Sequence, residues 1–146
     1  MNRYLVLLAA TALLVATSAC ASHAKPAPPP PTVNANGRSI FQTGKNSSGV
    51  QIVARPAALM SSCAACHRAD GAGGLHFARG AVSADLRYKA LVTGQAPRPY
   101  TITLLERAIA TGIDNNGQPL SRVMPRWRLS PSDLHDVAAY VLTALK

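Results

Sequence analysis

Cys63-Ala64-Ala65-Cys66-His67 is the stretch on which the reading of this chain turns. On a helix, cysteines three residues apart share a face, and a histidine four residues beyond the first lies on that same face. Two thiols so placed can be tied by thioether bonds to the two vinyl groups of a haem, while one imidazole reaches a central iron. Shorter spacing would turn the sulfurs to different sides. Two other chemistries use a Cys-x-x-Cys pair. A thioredoxin-like dithiol needs a preceding strand and a βαβ context, which the flanking sequence does not suggest. A structural zinc site needs a second pair of N/S ligands, and no second pair follows. Covalent haem is the expectation.

Working outward, the chain has 146 residues, a net charge of +9 and three cysteines. That length suits one small domain with appendages. A charged fraction of 14% with 48% hydrophobic residues speaks against wholesale disorder. An odd cysteine count excludes a framework in which every cysteine is disulfide-paired. Aromatic residues make up only 5%, so something other than Phe, Tyr and Trp must fill the core; a porphyrin would do so.

The first 19 residues read as an export signal, with Arg3 as a short positive region, an apolar run from Tyr4 to Val15, and small residues from Ala16 to Ala19. The apolar run is too short to span a bilayer comfortably. Cys20 after small residues resembles a lipobox, which makes it the candidate lipidation site, although Thr17 departs from the usual leucine. Cleavage after Ala19, Ala21 or Ala24 is the alternative, and intact mass of the mature protein separates the two. Residues 20–36 form a linker in which five of the six residues from Pro26 to Pro31 are proline, a stiff spacer with nothing apolar to bury. The domain is expected over 37–146. Because Arg3 and Lys25 precede it, it keeps 13 of the 15 Lys and Arg against 6 Asp and Glu.

Three helices are expected in that domain. One starts at Pro56 and runs through Ala57-Ala58-Leu59-Met60 toward Cys66. A second is started by a capping box of Thr103 with Glu106, buries Leu105, Ala108 and Ile109, and closes at Gly112. The third has Ser130 as N-cap, Pro131 in its first turn, and Leu134, Val137, Ala138, Val141 and Leu145 along one face, with Asp136 and Thr143 opposite. Residues 49–53 are a weak strand candidate.

An iron held by His67 needs its sixth position explained. Met1 leaves with the signal, and Met60 precedes Cys63 by a single turn. Met124 lies 57 residues beyond His67 and is followed by Pro125, which disfavours an α conformation at Met124 and favours a loop. His76 follows a glycine-rich loop too soon after His67. His135 borders the apolar stripe of the last helix. Met124 is therefore the expected sixth ligand.

Cys63-x-x-Cys66-His67, Asp70-Gly71-Ala72-Gly73-Gly74, Gly112, Gly117, Met124-Pro125 and a terminal amphipathic helix bearing Tyr140 together resemble a class I cytochrome c over residues 60–146. The resemblance implies an all-α cytochrome c fold of about three to five helices around one covalently attached haem c. It implies that N- and C-terminal helices cross with Tyr140 at the crossing, and that Trp127 and Arg126 lie near the haem propionates. In the family an N-terminal helix with a Gly-x-x-x-aromatic pattern, here Gly37 to Phe41, runs almost directly into the haem motif. This chain inserts Gln42 to Ser62 between them. The crossing helix is either the segment containing Gly37 and Phe41 or the one from Pro56 to Cys66.

The function so implied is one-electron transfer in the periplasm with His67 and Met124 as axial ligands, rather than catalysis. Two alternatives remain open. In one, the chain is a haem subunit of a membrane-associated oxidoreductase, which co-purification with a dehydrogenase would reveal. In the other, it is a small-ligand sensor with a labile methionine, which carbon monoxide binding to the reduced protein would reveal. Arg122, Arg126 and Arg128 flank Met124 and suit an acidic redox partner. A lipid at Cys20 would add the membrane as a second partner. Nucleic acid does not fit an exported protein.

Overall fold

A computed structural model describes residues 34–55, 60–95 and 97–146; the export signal, Cys20 and the linker as far as residue 33, with all its prolines, lie outside them. Asn34 opens the domain by capping α1 (Ala35–Thr43), its side-chain oxygen accepting the Gly37 N–H at 2.9 Å. The expected start at Gly37 therefore falls inside the first helical turn.

α1 crosses the last helix, α4 (Pro131–Ala144), and Gly37 sets how closely. A Cβ at Gly37 would lie 2.1 Å from the Asp136 carbonyl oxygen and 2.9 Å from Tyr140 Cβ, so the two backbones pass almost in contact. One turn further on, the fully buried Phe41 ring sits 5.5 Å from that of Tyr140, tilted by 49°. A polar clasp completes the crossing. Asn34 Nδ2 donates to Asp136 Oδ1, and Asn36 Nδ2 to Asp136 Oδ2, both at 2.7 Å. Asp136, off the apolar stripe of α4, is thus turned toward the start of α1.

This settles which segment crosses. The expected helix from Pro56 to Cys66 does not form as such: Pro56 to Leu59 lie outside the described residues, and Met60 to Cys63 bend before the single turn of α2 (Ala64–His67). A π-helical turn over Lys89–Thr93 buries Leu91 and leads toward α3 (Ile102–Thr111).

α3 buries Leu105, Ala108 and Ile109 and ends at left-handed Gly112, as its pattern predicts. Its N-cap differs. Thr101, with extended backbone, accepts the Leu104 N–H at 3.2 Å, placing Thr103 inside the helix. Glu106 is not part of a capping box; it pairs with His135 at 2.9 Å. In α4 the expected cap holds, with Ser130 Oγ accepting from Asp133 N at 3.1 Å, and Val137, Ala138, Tyr140 and Val141 are buried.

Among the described residues the fold is mostly helical, with a small two-stranded ribbon added to it. β1 (Val53–Arg55) pairs antiparallel with β2 (Arg126–Arg128), in the register Val53 to Arg128, Ala54 to Trp127 and Arg55 to Arg126. Strands of three residues are too short to show alternation in a sequence. The ribbon gives the inserted Gln42–Ser62 segment a place: it carries β1 to the chain just beyond Met124.

Candidate functional site

α2 is one turn, closed by Cys66 N–H and His67 N–H both donating to the Cys63 carbonyl, at 3.1 and 2.9 Å. That turn brings Cys63, Cys66 and His67 to one wall of a cleft of about 350 Å³, within the range of roughly 300–1,000 Å³ usual for cofactor sites. The interior is apolar, with Phe41, Leu91, Leu105, Ile109, Val137 and Val141 contributed by three helices and the π-helical turn. Met124 lines the cleft from the segment between α3 and β2, and Trp127, only 6% exposed, lines it from β2.

His67 is buried, with its Nδ1 2.8 Å from the Ala84 carbonyl oxygen. A carbonyl only accepts, so Nδ1 carries the proton and donates, and Nε2 keeps its lone pair for a metal. Burial lowers the His67 pKa, with the Ala84 bond opposing, which favours the neutral imidazole that ligation requires. Gly73 makes this bond possible. Its N–H donates to the His67 carbonyl at 2.9 Å, its φ is +62°, and a Cβ there would lie 2.2 Å from the Ala84 oxygen. The glycine cluster therefore does more than end a helix: it lets the Ala84 carbonyl reach the histidine.

Cys63 and Cys66 are not joined by a disulfide. Burial pushes the Cys63 thiol up to about 12 and raises that of Cys66. A dithiol redox centre needs the opposite shift, toward thiolate. Among the described residues no group of three or more His, Cys, Asp or Glu is placed to hold a metal ion.

The other candidate ligands stand elsewhere. His76 is exposed and bridges to Val82, His135 is exposed and faces Glu106, and Met60 is 41% exposed; none of the three lines the cleft. Arg126, expected beside the propionates, is not among the lining residues either. Its guanidinium is engaged with the backbone carbonyls of Met124 and Leu120.

Two features had no signal in the sequence. The Ala84 carbonyl is backbone and leaves no trace in residue identity. Asn115, 2% exposed, lines the cleft with Asp114 and Asn116, its Nδ2 donating to the Arg98 carbonyl. Asp114-Asn115-Asn116-Gly117 reads as a surface turn, and only the packing of the loop against the cleft buries it.

The residues present fit a haem: two thiols and a correctly protonated imidazole on one wall of an apolar cleft of suitable size. A mostly helical domain with this wall is suited to hold a covalently attached haem. The cytochrome c family model matches residues 34–145, and the chain belongs to the cytochrome c family. Among curated proteins and among solved structures, none matches the chain. The domain carries covalently bound haem c, for which Cys63 and Cys66 have the attachment spacing, and it is an electron-carrying protein.

Proposed function

We propose that the protein is a one-electron carrier facing the periplasm, with His67 and Met124 as the axial ligands of its haem iron. The observation that carries this reading is that His67 and Met124 line the same cleft while His76, His135 and Met60 do not. Haem c supplies a one-electron iron couple when bound, and a methionine ligand raises its potential. The chain's own residues hold rather than react. Ala84 orients the imidazole, Pro125 favours an extended backbone at Met124, and the apolar interior excludes water, so the surroundings change little between oxidation states.

Met124→Ala is expected to abolish the methionine–iron charge-transfer band of the oxidised protein and to lower its reduction potential. An unchanged spectrum would remove Met124 from the ligand set.

The partner in this reading is a redox protein with an acidic docking face. Val82 and Val123 line the cleft and are 51% and 43% exposed, an apolar rim with Arg122 exposed beside it. Small interfaces of this kind suit brief redox encounters, in which charge governs the rate of association. Electron transfer to the partner should fall steeply with ionic strength; a flat profile would reject steering. Periplasmic location rests on the export signal, and Cys20 remains the candidate lipid anchor.

A further inference from the structure

We infer that Arg126 is a positioning residue that clasps the Met124 loop by bonding the backbone carbonyls at its two ends. Arg126 Nη1 donates to the Met124 carbonyl at 2.5 Å, and Nη2 donates to the Leu120 carbonyl at 3.1 Å. The base of the side chain is fixed. Arg126 stands in β2 opposite Arg55 of β1, and the next residue, Trp127, is buried in the cleft wall.

The guanidinium passes directly over Gly112, the left-handed residue that ends α3. A Cβ there would lie 1.8 Å from both Arg126 Cζ and Nε, so this route is open only to a glycine. Leu120 N–H donates in turn to the Gly112 carbonyl at 2.8 Å. One planar group thereby ties the end of α3, Leu120 and Met124 into a single unit. Arginine suits the task because its donors form a rigid fork and its charge strengthens each bond to a neutral carbonyl. The loop needs such a tie. Pro125 has no N–H, so the ribbon cannot extend by a donor at the residue after Met124, and the Met124 N–H itself closes a turn onto the Ser121 carbonyl at 3.1 Å.

The inference rests on Met124 as an iron ligand and goes beyond it by naming what keeps that ligand in place. Its test uses the haem-loaded full chain, with imidazole as the competing ligand for the ferric iron. Imidazole enters when the Met124 loop opens, so its apparent affinity rises with the open fraction. Arg126→Gln and Arg126→Lys are each expected to bind imidazole roughly tenfold more tightly than wild type, because each loses the charged fork. Both should also show a weakened charge-transfer band.

The lysine variant distinguishes a clasp from a mere charge. It keeps the positive charge and loses the fork, so wild-type imidazole affinity in Arg126→Lys overturns the inference, as does wild-type behaviour in both variants. If Arg126→Gln fails to yield a haem protein, Arg126→Lys decides by the same measurement. Met124→Ala, run alongside, separates the two levels. A band that survives Met124→Ala removes the ligand reading and this inference with it. A band lost in Met124→Ala but intact in both Arg126 variants removes only the clasp.

Discussion

Gly37→Ala is expected to destabilise the haem-loaded protein by about 2–3 kcal/mol, a fall of roughly 10–20 °C in Tm for a domain of this size. Two effects oppose each other. Alanine is the better helix former, by about 1 kcal/mol in a helix interior. Against that, its Cβ would sit 2.1 Å from the Asp136 carbonyl oxygen and 2.7 Å from the carbonyl carbon, and these are backbone atoms of α4 that no rotamer change can move. To make room, α1 must lift from α4, loosening the Phe41–Tyr140 contact and the Asn34 and Asn36 bonds to Asp136. Overpacking against a rigid backbone outweighs the propensity gain, so the sign is negative. Thermal unfolding followed by far-UV circular dichroism measures it. An unchanged or raised Tm would show that Gly37 is not a contact point of the crossing helices.

The double substitution Cys63→Ser and Cys66→Ser is expected to have a larger effect still. It removes both thiols that have the attachment spacing, so pigment should no longer stay with the chain under denaturing conditions. The consequence for folding follows from size. Leaving unfilled a cleft of about 350 Å³ costs on the order of 8 kcal/mol at the usual rate per unit of cavity volume. Because the cleft opens to solvent, water takes part of that volume and the figure is a ceiling. It is nevertheless comparable with the whole stability of a small domain, about 5–15 kcal/mol. Chain that never acquires haem should therefore lose most of its helical dichroism and its cooperative melting transition. A haem-free double variant that still unfolds cooperatively would show that α1, α3 and α4 form a sufficient core by themselves.

What could be read from the sequence was local. Cys63, Cys66 and His67 stand within five consecutive residues, so one helical turn already dictates that they share a face. α4 was legible because its apolar residues repeat at helical spacing and Ser130-Pro131 marks its start. The N-cap of α3 was misplaced because Thr101 and Thr103 both offer a hydroxyl, and the choice depends on where the backbone turns from extended to helical. The β1–β2 ribbon was nearly hidden for a different reason, the strand candidate over 49–53 meeting β1 only at Val53. Its partners are three residues each and lie more than seventy positions apart, so neither carries a periodicity of its own.

The sequence by itself determined the chemistry. It identified which side chains have the spacing for haem attachment and which histidine stands next to them, because thiol and imidazole are properties of particular residues. Tertiary structure alone decided how that chemistry is held. The Ala84 carbonyl that orients His67, the Leu120 and Met124 carbonyls that Arg126 grips, and the Asp136 carbonyl that Gly37 must clear are all main-chain oxygens. Every residue has such an oxygen, so none leaves a mark in the sequence. Which of them matter follows only from the folding that brings distant segments together.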